Sequence, residues 1–476
     1  MTNYRWVICT MLFFATMVNY MDRQVLSLTW KDFISPELGW DDDSYGIITG
    51  AFSIMYAMCM LFVGRIVDRV GTKRGYAVSM IIWTCGAVLH SLCGIACSGI
   101  IADEWFVSFD GAKEALHDIG YMALPVTTVS VWLFLACRFI LALGEAGNFP
   151  AAIKVTAEYF PKKDRAYATS IFNNGASVGA LIAPVTIPPL AKYMGWEMAF
   201  ILIGFWGYVW AFVWLRVYNR PHNSRHVNKA ELGYIMQDDM DDDDEVTRKS
   251  RKEMGIIHCL GYRQTWAFII GKFMTDGVWI FFLFWTPAYI SDMYSYSSDS
   301  LMGMALIFVL YLISMLSVAG GYLPTYFVDS RGMHPYGGRM LSMLIFAVIP
   351  LIGVAILPLG SISPWCAVVI IGIIGAAHQS WSANIFSTVG DLFPKAAIGT
   401  VTGIGGMAGG VGSFIINYGA GYLFTLSDKL GTTFCFLGFY GKQGGYMAVF
   451  CICSVAYLVG WIVMRMLVPR YQPVEC

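Results

Sequence analysis

Charge is scarce in this chain. Asp, Glu, Lys and Arg make up 13% of its 476 residues, about half the share in a soluble domain. Hydrophobic residues reach 57%, with 31 Phe and 16 Trp. That balance excludes a water-soluble globule and makes lipid the solvent over much of the surface. Neither sign of charge dominates: the net charge of −1 argues against a nucleic-acid partner. The twelve cysteines form no C-x-x-C pair, so they read as small packing residues and no metal site is expected. No G-x-x-x-x-G-K-[ST] loop is present, which excludes ATP hydrolysis as the energy source. No nucleophile–base spacing points to an enzyme, and no cofactor is implied. The glycine-rich GIGGMAGGVG, Gly403 to Gly412, lies in an apolar stretch and follows no strand, so it reads as close helix packing rather than a phosphate loop. No small-residue cleavage site follows the first apolar stretch, which therefore reads as a retained span.

What the chain has in abundance is apolar runs of spanning length, about 20 residues each. Twelve are expected, at 6–28, 44–63, 75–97, 126–150, 166–190, 197–217, 265–289, 301–327, 340–358, 364–390, 398–425 and 445–468. The fold class expected is all-α integral membrane, with twelve transmembrane helices in two pseudo-symmetric six-helix bundles. The bundles cover 1–217 and 264–476, and 218–263 is a cytoplasmic linker. The linker carries an acidic run, Asp238 to Glu245, read as a solvated stretch. Placing both termini and the linker on one side gives that side 22 of the Lys and Arg residues and the other side 5, with four in the spans. By the positive-inside rule, both termini are cytoplasmic in a multi-pass inner-membrane protein. The halves also repeat: FPKKDRAYATSIFNNGASVGALI from Phe160 matches FPKAAIGTVTGIGGMAGGVGSFI from Phe393, aligning Gly179 with Gly412. Duplicated halves joined by a linker are a transporter architecture, and a monomer with one central site is expected.

GRIVDRVGTKR, Gly64 to Arg74, joins the second and third spans. Gly64 and Gly71 permit a tight turn, while Asp68, Arg69 and Arg74 can hold the loop to adjoining helices as a conformational latch. The loop resembles the G-x-x-x-D-R-x-G-x-K/R loop of the major facilitator superfamily. NYMDR (Asn19–Arg23), RFILALGEAGNFPAAIK (Arg138–Lys154), KFMTDGVWIFFLFWTPAYI (Lys272–Ile290) and AAHQSWSANIF (Ala376–Phe386) look like its anion:cation symporters. Within these, the resemblance is closest to bacterial hexuronate transporters. It implies alternating access and proton coupling, with the acidic residues of spans one and four, Asp22 and Glu145, as carriers.

The residues can also be read directly. Asp22 and Arg23 sit inside the first apolar stretch, where a charge costs roughly 2.5–3.5 kcal/mol on insertion scales. Charges kept there face protein or a watery cavity. Arg23 is the first choice to grip a substrate carboxylate and Arg138 the second, with a helix-to-helix tie as the alternative for Arg138. Asp22 and Glu145 can be proton carriers or members of structural salt bridges. Sugar hydroxyls need neutral donors and acceptors, which Tyr20, Asn148, Asn173, Asn174, His378, Gln379, Ser382 and Asn384 supply. Lys272 and Asp276 either pair along one helix face or point into a cavity. Trp285 and Trp381, with Trp279 and Tyr289, can stack on a sugar ring or simply pack. The alternatives are the same machine with an aldonate, tartrate or aromatic carboxylate, or a membrane sensor that binds without transporting.

Overall fold

A backbone in hydrocarbon must satisfy its own hydrogen bonds, and the apolar stretches do so as helices. The computed structural model describes residues 2–119, 124–237, 256–393 and 395–474; within these, the side chains of 61, 64–69, 119, 124, 162–163, 165–167, 170, 318–321, 325, 395–396 and 399 are not described. The first half contains α1 (Tyr4–Thr29), α2 (Asp42–Val70), α3 (Thr72–Ser91), α4 (Cys93–Ala102), α5 (Phe109–Ile119), α6 (Leu124–Glu145), α7 (Asn148–Tyr159), α8 (Lys162–Met194) and α9 (Trp196–Val217). A short α10 (Lys229–Ile235) follows. The second half contains α11 (Arg263–Tyr294), α12 (Leu301–Ser314), α13 (Ser317–Arg331), α14 (Pro335–Val348), α15 (Pro364–Leu392), α16 (Lys395–Leu430) and α17 (Gly441–Leu467). Eleven of the twelve expected spans fall on one of these helices or on a helix pair, and the ninth, 340–358, continues from α14 through a 3-10 segment, Ile349–Ala355, into a short helix, Ile356–Gly360. Among the described residues seven helices are long and apolar enough to cross a bilayer, eight when α3 and α4, bent by 51°, are taken together.

By packing the chain divides into two units, Met1–Gly39 with Met58–Arg251, and Trp40–Ala57 with Lys252–Cys476. The expected division placed all of the second span in the first bundle, yet the first half of α2 packs with the second unit. Local chemistry explains this. The Tyr45 hydroxyl donates to the Phe284 carbonyl at 2.9 Å. The Lys442 ammonium bridges Asp42 at 2.5 Å and Asp292 at 2.8 Å.

Part of the expected solvated linker is docked instead. Glu231 of α10 is fully buried and accepts the backbone N–H groups of Tyr4 and Arg5, both at 3.1 Å. A carboxylate thus caps the N-terminus of α1, where orphan N–H groups and the helix dipole both favour an anion. The acidic run lies outside the described residues. Between α4 and α6, α5 is docked as well: Lys113 pairs with Glu37 at 3.1 Å and Glu197 at 3.4 Å.

Glycine sets the closest helix contacts. Gly179 of α8 lies against the Met17 carbonyl of α1, and Gly412 of α16 against the Phe273 carbonyl of α11. A Cβ at either position would overlap backbone, so the two aligned glycines of the repeat do the same packing task in each unit.

Candidate functional site

Neighbouring residues on a helix point about 100° apart, so Asp22 and Arg23 take partners on different spans. The Arg23 Nε donates to Glu145 Oε2 of α6 at 2.8 Å, and the ion pair is buried, with Glu145 0% and Arg23 7% exposed. The Tyr20 ring lies 5.4 Å from the guanidinium carbon. Asp22 turns to α3, where the Trp83 indole N–H donates to its Oδ2 at 2.6 Å. Arg138 is buried on α6, close enough for its charge to act on both Asp22 and Glu145. Asn148, the first residue of α7, accepts from the Tyr76 hydroxyl at 2.6 Å.

The sequence reading placed Glu145 two turns after Arg138 on one helix face. The structure pairs it with Arg23 from another span, so the pair ties α1 to α6. Removing one member of such a buried pair typically costs about 3–5 kcal/mol because the other charge is left uncompensated. The reading also missed α3. Tyr76, Trp83 and His90 recur every seven residues, two helical turns, and so share one face. The first two bond Asn148 and Asp22, and His90 lies within electrostatic reach of Arg138. That spacing was visible in the sequence, but three dissimilar side chains gave it no chemical identity. Gly144 of α6 lies against the Trp83 backbone, and Gly86 of α3 against Leu141, which fixes the register of the two helices.

Several buried polar atoms in this region have no hydrogen-bond partner: Asp22 Oδ1, Glu145 Oε1, Asn148 Nδ2 and both amide atoms of Asn19. Such atoms are rare in folded proteins and mark places where water, an ion or a proton is handled. Asn173 and Asn174 are exposed on α8, and Gly175 beside them packs on α1.

The second unit carries a less charged arrangement. Lys272 and Asp276 do pair along α11, at 2.6 Å, and the Lys272 ammonium lies 4.3 Å from the Phe386 ring centre. His378 of α15 is buried. Its Nδ1 hydrogen-bonds the Tyr457 hydroxyl at 2.7 Å, and its ring stacks parallel to Trp279 at 5.3 Å. Gln379 and Ser382 are half-buried, and the Asn384 amide donates to the Ser380 carbonyl at 2.8 Å. Trp285 donates to Asn417 at 3.0 Å and sits edge-on to Tyr45 and Phe424, which makes it a packing residue here. Trp381 is fully buried with its edge against Tyr457.

For the latch, Gly71 has φ +91°, a conformation open to glycine, and precedes α3. Arg74 is exposed. The side chains of Gly64, Asp68 and Arg69 lie outside the described residues. What holds this end of α3 is Lys73, bonded to Asn219 at 3.0 Å, and Thr72, bonded to Glu158 at 2.6 Å.

Comparison with known proteins fits this geometry. The family model of the Major Facilitator Superfamily matches residues 12–417. The hexuronate transporter of Escherichia coli (strain K12) is 26% identical over 473 residues, covering 99% of this chain and 95% of that one. The galacturonate transporter of Dickeya chrysanthemi is 24% identical over 324 residues, 68% of this chain and 82% of that one. Among solved structures, a D-xylose-proton symporter superposes with a TM-score of 0.64 at 16% identity, covering 99% of this chain and 98% of that one. Matched over most of its length and built of spanning helices, the chain belongs to the Major Facilitator Superfamily and is a multi-pass membrane transporter rather than an enzyme.

Proposed function

We propose that this transporter imports a hexuronate, galacturonate or glucuronate, together with protons, by alternating access. The observation that carries the proposal is the buried Arg23–Glu145 ion pair with Asp22 beside it. The substrate class is supported by the relatives, named as hexuronate and galacturonate transporters. The orientation, with both termini in the cytoplasm, is supported by the 22-to-5 distribution of Lys and Arg.

The guanidinium fork matches a planar carboxylate. While Glu145 is charged it occupies the Nε edge of that fork. A proton on Glu145 removes the competing charge and turns Arg23 toward the substrate carboxylate. One anion and one proton arriving together leave the net charge of the buried cluster unchanged, so no uncompensated charge is stranded in low dielectric. Asp22 serves as a further carrier. The hydroxyls fall to neutral side chains, Asn148 of α7 foremost. Differential affinity for the loaded and empty states then shifts the conformational equilibrium.

The test is uptake of labelled glucuronate into liposomes under an imposed pH gradient. Glu145→Gln abolishes accumulation while substrate exchange persists; unaltered accumulation refutes the role of Glu145. Competition by a panel of acids identifies the anion, with hexuronates displacing the label better than aldonates, tartrate or aromatic carboxylates.

A further inference from the structure

The proposed function assigns a proton to Asp22 but not to an oxygen of Asp22, and the two oxygens differ. Oδ2 accepts the Trp83 indole N–H at 2.6 Å. Oδ1 is buried with no hydrogen-bond partner. An indole nitrogen only donates. An oxygen held by it keeps its lone pair toward the donor, so Oδ2 remains an acceptor in both protonation states. We infer that Trp83 is the positioning residue of the proton site: it holds Asp22 by Oδ2, directs the proton to Oδ1, and sets the pH at which the carrier loads. This rests on the reading of Asp22 as a proton carrier.

The fold fixes Trp83 where this role needs it. Gly144 admits the α6 backbone against the Trp83 backbone, and Gly86 does the same at Leu141 one turn away. The Tyr76–Asn148 bond pins the same face two turns earlier. Asn19, one turn before Asp22 on α1, is fully buried with its whole amide unpartnered, so a group able to donate to or accept from Oδ1 stands on the same helix face.

The charges acting on Asp22 are those of Arg138, Arg23 and Glu145. Among the described residues, other charged side chains on the helices packed around α1 are engaged or placed elsewhere. Glu158 of α7 bonds Thr72, and Glu197 of α9 pairs with Lys113. Lys154 of α7 is half-buried, and Lys192 and Arg216 lie in the last turns of α8 and α9. Asp164 is in the first turn of α8, and Lys31 and Asp32 lie beyond the end of α1. The indole is thus the neutral donor through which α3 reaches the carboxyl.

The decisive variant replaces Trp83 by benzothienylalanine, which keeps the shape of the ring and lacks the N–H; Trp83→Phe is the genetic counterpart. The unfolding midpoint in detergent checks that the variant is folded. The loading limb of proton-driven uptake moves to higher pH by about one unit, a tenfold gain in proton affinity, because the charged carboxylate has lost a donor. Trp83→Gln, which restores an N–H, returns the profile toward wild type. An unchanged profile with the isostere, while Asp22→Asn abolishes accumulation, overturns the role of Trp83 and leaves Asp22 as a carrier. Accumulation that survives Asp22→Asn overturns the reading of Asp22, and the inference with it.

Discussion

The two halves of the molecule share a packing frame and fill it differently. Gly179 meets the Met17 carbonyl in one unit, and Gly412 meets the Phe273 carbonyl in the other. Six residues on from Met17 stands Arg23; six on from Phe273 stands Trp279. Arg23 requires Glu145 from another helix, whereas Trp279 stacks on His378, whose Nδ1 hydrogen-bonds the Tyr457 hydroxyl. The Lys272–Asp276 pair of the second unit is local to one helix, and the Asp276 side chain is 22% exposed. The comparison teaches that backbone contacts tolerate divergence of what they position. At these two aligned places one unit holds a buried arginine compensated by a carboxylate from another helix, and the other holds an aromatic stack.

The comparison breaks most sharply at the ion pairs. Arg23→Met leaves Glu145 uncompensated and is expected to lower stability by about 3–5 kcal/mol and to cut uptake at least about 100-fold. Joining Arg23→Met with Glu145→Met recovers most of the stability and none of the uptake, as thermal unfolding in detergent and liposome assays will read. Lys272→Met costs less, about 1–3 kcal/mol, since Asp276 keeps some exposure. Equal losses at Arg23 and Lys272 would erase the distinction between the halves.

The shared frame is sharpened by Gly179→Leu and Gly412→Leu. Each forces a side chain into backbone and is expected to lower the unfolding midpoint by similar amounts, about 1–3 kcal/mol or more; a large effect at one glycine alone would undo the equivalence. The smallest effect is expected at Glu231, outside the spans. Burial works against its charge, but the Thr2 hydroxyl, the Arg5 and Tyr4 N–H groups and the Arg5 charge outweigh it, so its pKa lies below the usual value of 4.5. Its stabilisation is therefore present above pH 4.5 and lost as pH falls through the lowered folded value. Glu231→Gln is expected to flatten that limb of the stability profile and to cost about 1–3 kcal/mol near neutrality. No change in the acid limb would show that the cap on α1 is dispensable.

The segments were legible because hydrocarbon imposes length and helicity on any spanning sequence, and each expected stretch is helical. The Gly179/Gly412 match was legible too, since close helix approach tolerates nothing larger at that position. Asp22, Arg23, Arg138 and Glu145 stood out as charges in apolar surroundings. Their partners did not. Trp83 looks like any membrane tryptophan until its N–H meets a carboxylate, and Tyr76 and Asn148 lie 72 residues apart. Trp285, open in the sequence between a sugar platform and a packing residue, hydrogen-bonds Asn417 and packs against Tyr45 and Phe424.

Thus the sequence by itself determined that the apolar stretches are helical, that two halves are related, and which rare side chains needed buried partners, because these follow from solvent and local spacing. Only the tertiary structure decided that Arg23 pairs with Glu145, that Asp22 is held by Trp83, that α2 divides its packing, and that the linker caps α1. Those outcomes depend on which helix faces meet, and helix faces are chosen by long-range packing that no local pattern encodes.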